Sequence, residues 1–338
     1  PIRTHMDMDA YELIERNVEE VVTEDEMRDL AADPEGKRVY VGYEPSGVLH
    51  LGHLLTATKL MDLQELGMEV VVLLADVHAY LNGKGTFEEI RDTAEQMQAQ
   101  FLAYGLDEDK TEFVYGSEYQ LDEDYVLDLH QLALETSLNR ARRAMAEIQS
   151  GATVKVSHVI YPLMQALDIE YLDLDAAVGG IDQRKVHMLH REELPSIGYE
   201  ARPCIHTPII ADLSTGVGKM SSSEGVTISM EDSTEEIEEK VNGAFCPPTR
   251  DPEPDEDGNE RYNPVLELFQ YHVFPRFEAV TVERPDEYGG DVTYGSYEEL
   301  ASALEAGDLH PADAKATLAA YLDELIEPGR AKLRELRA

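Results

Sequence analysis

Between residues 39 and 210, short and nearly continuous apolar runs alternate with longer stretches of helical spacing, and few architectures accommodate that alternation. The runs 39–43, 69–75, 112–115, 174–178 and 205–210 are too short for helices and too uniformly apolar for a sheet with one wet face. Between them, residues 54–66, 87–104, 159–172 and 183–193 repeat apolar side chains at intervals of three and four. Strands of this kind separated by helices of this length imply βαβ units around a parallel sheet, so the class is α/β. One stretch interrupts the pattern. Residues 122–149 read as a single long helix that carries Arg140, Arg142 and Arg143, and the region from about 120 to 156 is taken as a helical insertion.

Past residue 223 the alternation ends. A helix over 234–243 opens on a Ser233 cap, and the acidic stretch 250–260, with Pro252, Pro254 and Gly258, reads as a surface loop. A helix over 263–277, a short β-prone segment at 279–282, and helices over 296–306 and 311–325 follow. The expected organisation is an N-terminal helical segment (1–30), a parallel-sheet domain (31–211), a loop and linker (212–232) and a smaller, mainly helical domain (233–338). Residues 1–6 have no periodicity and are set outside the fold.

The charge bounds the partners and the solvent. Lys and Arg number 28 against 69 for Asp and Glu, a formal net charge of −41. Self-repulsion on that scale destabilises a compact chain in dilute salt, whereas at 1 M salt the screening length shrinks to about 3 Å. A molar-salt environment is therefore expected, with loss of structure on desalting; an unchanged melting temperature from molar to millimolar KCl would refute it. Any nucleic acid must be met by local basic patches. Apolar content of 43% suffices for a sizeable core, and no run of about 18 apolar residues occurs, so a cytoplasmic protein without membrane contact is expected. Cys204 and Cys246 lie in no CxxC pattern and read as core thiols.

Two separated segments carry candidate chemistry. His50-Leu51-Gly52-His53 follows the first strand and opens a helix, where free backbone N–H groups and the positive dipole end suit a phosphate. The histidines share a face, and Gly52 leaves room for a flat base against the backbone. A simple capping arrangement, or half of a metal site with His78 as a further ligand, stays open on the residues alone. A dinucleotide fold is disfavoured, because the turn lacks GxGxxG. The second segment, Gly218-Lys219-Met220-Ser221-Ser222-Ser223, places one lysine among glycines and serines, either as a flexible linker or as a loop that meets departing phosphate charge.

Taken together, the two segments resemble the signatures of class I aminoacyl-tRNA synthetases. Between and after them, Gly42-Tyr43-Glu44-Pro45-Ser46-Gly47, Leu74-Ala75-Asp76-Val77-His78-Ala79-Tyr80-Leu81-Asn82, Tyr161-Pro162-Leu163-Met164-Gln165, Gly179-Gly180-Ile181-Asp182-Gln183-Arg184-Lys185 and His310-Pro311 resemble the archaeal and eukaryotic type of the tyrosine-specific family, from about residue 10 onward. The resemblance implies a Rossmann-like catalytic domain followed by an anticodon-binding domain. It implies a tyrosine site in which Tyr40 and Asp168 meet the substrate phenol while Glu44, Tyr161, Gln165 and Gln183 serve its ammonium and carboxylate. Tyr161, Gln165 and Asp168 are spaced i, i+4, i+7 on one helix face. For ATP, carried as its Mg²⁺ complex, it implies contacts from Gly42, His50, Gly52, His53, Gly180, Asp182, Lys219 and Ser222, with His50, His53 and Lys219 as the catalytic set. Ser222 stands where many relatives carry a second lysine, which leaves Lys219 as the loop's only cation.

The implied reaction needs no protein nucleophile. Tyrosine's carboxylate attacks the α-phosphorus of ATP, pyrophosphate leaves, and the tyrosyl group passes from the adenylate to tRNA, so catalysis is positioning and charge stabilisation. No bound structural metal is implied. Arg143 and Arg184 would meet the first base pair of the acceptor stem, Tyr288, His310 and Asp313 the anticodon guanine, and a homodimer through the insertion is implied. Three rivals remain: a tryptophan-specific relative, a catalytically silent RNA-binding paralogue, and a generic nucleotidyltransferase.

Overall fold

A computed structural model describes residues 8–145, 153, 155–220 and 225–338. The chain divides into two compact units, one comprising Met8–Gly47 and Lys59–Pro208, the other Val48–Thr58 and Ile209–Ala338.

The first unit is built on a six-stranded sheet. Its N-terminal elements are helix α1 (Ala10–Glu15), strand β1 (Glu20–Val22) and helix α2 (Glu24–Ala32), with capping boxes at Asp9 with Glu12 and Thr23 with Glu26 fixing where the helices start. Strand β2 (Arg38–Tyr43) leads into helix α3 (Leu51–Glu65), and β3 (Glu69–Leu74) into α4 (Asp76–Leu81) and α5 (Phe87–Tyr104). Next come β4 (Thr111–Tyr115), α6 (Glu123–Glu135), α7 (Leu138–Met145), α8 (Ser157–Tyr171), β5 (Ala176–Gly180), α9 (Arg184–Glu193) and β6 (Cys204–Thr207). The strand order is β1-β6-β5-β2-β3-β4. Strands β2 to β6 pair in parallel, as the continuous apolar runs require, and the five residues Val70–Leu74 of β3 are all buried. The chain winds outward in both directions from the adjacent pair β2 and β5, and the carboxyl ends of such a pair are where α/β sheets bind ligands.

Two expectations for this unit are corrected. The segment 1–30 is not wholly helical: β1 pairs antiparallel with β6, Val21 opposite Ile205, so the sheet is mixed at one edge. The stretch 122–149 is not one helix within the described residues. It breaks at Thr136 and Ser137, and the Ser137 hydroxyl accepts the Arg140 N–H at 3.2 Å, a side-chain cap that starts α7 anew. Residues 146–149 lie outside the described residues.

The second unit is mainly helical. It holds the first turns of α3, helix α10 (Thr234–Asn242) capped by Ser233 with Glu236, and the short hairpin β7 (Glu253–Pro254) with β8 (Glu260–Arg261), where a loop was expected. Asp255 closes that hairpin by accepting N–H groups from Asp257 and Asn259, with Gly258 at φ +84°. The expected helix 263–277 is α11 (Pro264–Leu268) continued by a π-helical turn, Phe269–Val273. Strands β9 (Val280–Val282) and β10 (Val292–Tyr294) form a ribbon, followed by α12 (Tyr297–Ala306) and α13 (Pro311–Leu336). Helix α13 runs eleven residues past its expected end at 325, through Pro328, because Ile326, Gly329, Arg330 and Leu333 are buried along it. Arg330 donates to the Asp232 carbonyl at 2.6 Å and to Asp323 at 2.6 Å.

Candidate functional site

Asp168 on α8 is fully buried, and its two oxygens are treated differently. Oδ1 accepts three hydrogen bonds, from the Tyr119 hydroxyl at 2.8 Å, the Gln120 amide at 2.8 Å and the Tyr125 hydroxyl at 2.9 Å. Oδ2 is equally shielded from solvent and has no hydrogen-bond partner, with the imidazole Nε2 of His78, itself unpaired, 3.9 Å away. Burial raises the carboxyl's pKa, and His78, Gln120, Tyr119 and Tyr125 oppose that rise. A buried acceptor left open beside three filled donors costs stability unless something else pairs with it. Tyr40, in the middle of β2 and 1% exposed, is pushed well above its ordinary range by burial and then by the Asp168 charge, so it stays a neutral O–H donor. The constellation thus offers one acceptor and one donor of hydroxyl type.

Four elements position this pocket. Strand β2 supplies Tyr40, α4 supplies His78, the turn after β4 supplies Tyr119 and Gln120, and α6 supplies Tyr125. The rings of Tyr125 and Tyr171 pack edge to face at 4.8 Å, and His78 packs edge-on to Tyr161 at 4.5 Å. One α8 face carries Tyr161, Gln165 and Asp168, as the spacing requires. Tyr161 donates to Glu44 at 3.2 Å, Asn82 donates to Glu44 at 3.1 Å, and Lys84 stands 3.6 Å from it, so Glu44 is an anchored carboxylate just past β2. The Gln165 amide donates to the side-chain oxygen of Gln183 at 3.1 Å. Gln183 and Asp182 lie on the 3-10 turn after β5, whose last residue is Gly180. A Cβ on Gly179 would come 3.1 Å from both Gln183 and His187, so glycine there serves local packing. A Cβ on Gly42 would meet Leu73 and Tyr40 only at ordinary distances, so nothing in this unit demands glycine at 42.

Sequence reasoning misses the ring of donors. It offers His78 only as a possible metal ligand, and Tyr119, Gln120 and Tyr125 not at all. Their only signal is Tyr-Gln followed by Tyr in an otherwise acidic segment, at the start of what reads as an insertion.

In the second unit the chain just past the lysine loop lies against the His50 segment. The Leu51 N–H donates to the Ile228 carbonyl at 3.0 Å and the Met230 N–H to the Leu49 carbonyl at 2.9 Å, with His50 opposite Ser229, so the chain returning from the lysine loop pairs antiparallel with the His50 segment. Helix α3 begins at Leu51. The His50 and His53 rings stack at 3.8 Å, His50 Nδ1 accepts the Gly52 N–H at 3.1 Å and His53 Nδ1 the His50 N–H at 3.3 Å. Burial, and then the charge of Lys219, lowers His50 to about 4; burial, His50 and Lys219 hold His53 well below its ordinary range. Both are neutral imidazoles near pH 7. A Cβ on Gly52 would stand 2.9 Å from the His50 ring, so glycine there also admits that ring over the helix start. Lys219 is exposed, and Ser222 lies outside the described residues.

The basic residues divide. Arg140 is tied to Glu192 at 2.6 Å, while Arg142 and Arg143 are exposed on α7. Arg184, at the start of α9, donates to Glu20 at 2.7 and 2.9 Å. His310 caps α13 by accepting the Ala312 N–H at 3.1 Å, with Asp313 in the first turn. For Tyr288 only the backbone is described, in the 3-10 turn Asp286–Tyr288. Cys204 is buried and Cys246 half-buried, neither in a disulfide. Cys204 lies with His187 and His206 in one buried cluster of ligand type, where the two imidazoles are already hydrogen-bonded at 2.9 Å and His206 faces Glu20 at 3.2 Å.

Known proteins resemble this chain over nearly its whole length. The family profile described as tRNA synthetases class I (W and Y) matches residues 34–327. A tyrosine–tRNA ligase of Halobacterium salinarum is 78% identical over 98% of this chain and 99% of its own length, and one of Archaeoglobus fulgidus is 54% identical over 95% and 96%. The crystal structure of tyrosyl-tRNA synthetase complexed with L-tyrosine from Archaeoglobus fulgidus superposes with a TM-score of 0.89 at 53% identity, covering 96% of this chain and 98% of that one. With the profile spanning most of the sequence and relatives this similar over their whole length, the chain belongs to the tyrosyl-tRNA synthetase family of class I.

Proposed function

We infer that the chain attaches L-tyrosine to tRNA(Tyr) at the expense of ATP, through a tyrosyl-adenylate, releasing pyrophosphate and then AMP. The observation that carries this reading is the half-satisfied Asp168. A substrate phenol donates to its open Oδ2 and accepts from Tyr40, filling both at once. An indole N–H would pair with Asp168 but leave the Tyr40 hydroxyl unmatched, and phenylalanine would leave both unpaired in a dry pocket. Such pockets reject the analogue lacking the hydroxyl by about 10⁴–10⁵, a range in which tyrosyl-tRNA synthetases themselves fall.

Glu44, Tyr161, Gln165 and Gln183 are assigned to the tyrosine ammonium and carboxylate. Gly42, Gly52 and Gly180 give close approach for the nucleotide, and Asp182 takes its ribose. The neutral His50 and His53 donate to or orient the phosphates without adding fixed charge, and Lys219, with Ser222, offsets the charge developing on pyrophosphate. Mg²⁺ enters with ATP as part of the substrate. Arg143 and Arg184 are assigned to the acceptor stem, and Tyr288, His310 and Asp313 to the anticodon. A homodimer is supported by Leu127 and Leu134, seven apart on one face of α6 and 57% and 83% exposed, in a chain of formal net charge −41. No described helix is long and apolar enough to cross a membrane, and we assign the protein to the cytoplasm on its family.

ATP–pyrophosphate exchange in molar KCl with tyrosine, tryptophan and phenylalanine tests the reading. Exchange with tyrosine alone, followed by charging of tRNA(Tyr), is expected. Exchange with none would remove the enzyme, and exchange led by tryptophan would move the chain to its sister specificity.

A further inference from the structure

Asp212 stands where the lysine loop leaves the body of the second unit, and the residue is 6% exposed. Oδ1 accepts the N–H and hydroxyl of Ser214 at 3.1 and 2.7 Å and those of Thr215 at 2.9 and 2.8 Å. Those bonds shape the outgoing stem. Oδ2 accepts the N–H of Val226 at 2.9 Å, on the returning stem fourteen residues later. One side chain therefore holds both ends of the segment that carries Lys219. Burial works against the charge, but the Ser214 and Thr215 hydroxyls and the Thr215 and Val226 N–H groups together hold the carboxyl below its ordinary range.

The surroundings leave the clip little freedom. The Ala211 N–H donates to the half-buried Glu267 at 2.9 Å, and Asp212's own carbonyl accepts the Gly216 N–H at 2.8 Å. Gly216, at φ +72°, sits where a Cβ would approach the Tyr262 carbonyl to 2.4 Å. On the returning side, a Cβ on Gly225 would fall 2.0 Å from Asp212 Oδ2, so only glycine lets the carboxylate reach Val226. Past Val226 the same stem supplies Ile228 and Met230, which pair with Leu51 and Leu49 beside His50. Asp212 thus couples the loop's entry to the strand that pairs with the other signature.

We propose that Asp212 is a positioning residue for adenylate formation: its two carboxylate oxygens fasten the stems on either side of Lys219 and so fix where that ammonium stands relative to His50 and His53. The inference rests on the assignment of Lys219 to the departing pyrophosphate, and the two can be separated. An amide at position 212 has one oxygen. Asp212→Asn keeps the bonds to Ser214 and Thr215 but turns an NH₂ toward the Val226 N–H, so it distinguishes a clip across two stems from a local turn. Gly225→Ala leaves Asp212 intact and wedges a methyl group between it and Val226.

Pyrophosphate exchange, equilibrium binding of labelled tyrosine and thermal unfolding are measured in molar KCl on Asp212→Asn, Gly225→Ala and Lys219→Ala. Both clip variants are expected to lose about tenfold to a hundredfold in exchange kcat, the scale of an ångström-sized misplacement, with tyrosine affinity unchanged. Parental kcat in both, with Lys219→Ala impaired, overturns the positioning role. So does an equal loss of tyrosine affinity, which marks general damage. Parental kcat in Lys219→Ala sinks the lysine assignment instead. Should Asp212→Asn fail to fold, Gly225→Ala decides the matter by the same criteria.

Discussion

On the proposed assignment, the pocket around Asp168 and the region around His50 and Lys219 solve different problems with different materials. At Asp168 the groups are buried or half-buried side chains, three donors immobilise one oxygen, and three buried polar atoms, Asp168 Oδ2, His78 Nε2 and Gln120 Oε1, are left open. At His50 the working groups are backbone N–H groups at a helix start, two imidazoles held neutral, and one exposed ammonium on a loop. Buried, preorganised hydrogen-bonding groups discriminate between substrates differing by one hydroxyl, because the wrong one leaves desolvated groups unpaired. An exposed cation discriminates little and acts where charge develops during reaction. Selection and acceleration should therefore be separable by mutation.

The largest effect is expected at the selecting end. Asp168→Ala should collapse the preference for tyrosine over phenylalanine, measured as a ratio of kcat/KM values, by about 10⁴ or more. A ratio within tenfold of the parent would break the comparison. Next, Lys219→Ala should lower exchange kcat by about 10²–10³, the cost of removing one preorganised charge-stabilising group, while tyrosine affinity stays put. Tyr119→Phe probes the comparison more finely. It removes one of three bonds to Oδ1 and keeps the ring, so selectivity should fall about tenfold, near 1–1.5 kcal/mol, with ATP KM unchanged. No change would mean that Gln120 and Tyr125 suffice to orient the carboxylate.

The smallest effect concerns pH. Burial first of all lowers His50 and His190 to about 4 and His272 to about 3, and holds His53 and His187 well below 6.5. An unfolded chain takes up protons near pH 6.5 that these folded histidines refuse, so stability is lost as pH falls from about 6.5 toward 4. Glu267, raised to about 7 by burial, runs the other way, since its folded form takes up a proton as pH falls through 7. With His206 also lowered by burial, six histidines outweigh the four raised carboxyls Glu65, Asp168, Glu170 and Glu267. The melting temperature should drop by several degrees from pH 7 to pH 5, whereas the exchange rate constant should stay flat from pH 8 to 6 because His50 and His53 remain neutral throughout.

Legibility differs between the two regions for a physical reason. The signature segments are contiguous in sequence, so their residues can be read together; what cannot be read is their union, which depends on backbone pairing of Ile228 and Met230 with Leu51 and Leu49. The α8 face is legible from its i, i+4, i+7 spacing. The donors that tune it are not, because Tyr119, Gln120 and Tyr125 reach Asp168 across 43 to 49 residues. In the fold, parallel strands are visible as apolar runs, whereas β1 is a three-residue edge strand with no room for a pattern. The end of α13 escapes the pattern because Pro328 reads as a terminator, yet burial of Ile326, Gly329 and Leu333 carries the helix through it.

The most direct test of this division of labour measures equilibrium tyrosine binding and pyrophosphate exchange together on Asp168→Ala and Lys219→Ala in molar KCl. A crossed result is expected, with tyrosine affinity and selectivity lost in the first, and exchange kcat lost at parental tyrosine affinity in the second. Parallel losses of both quantities in both variants would contradict it.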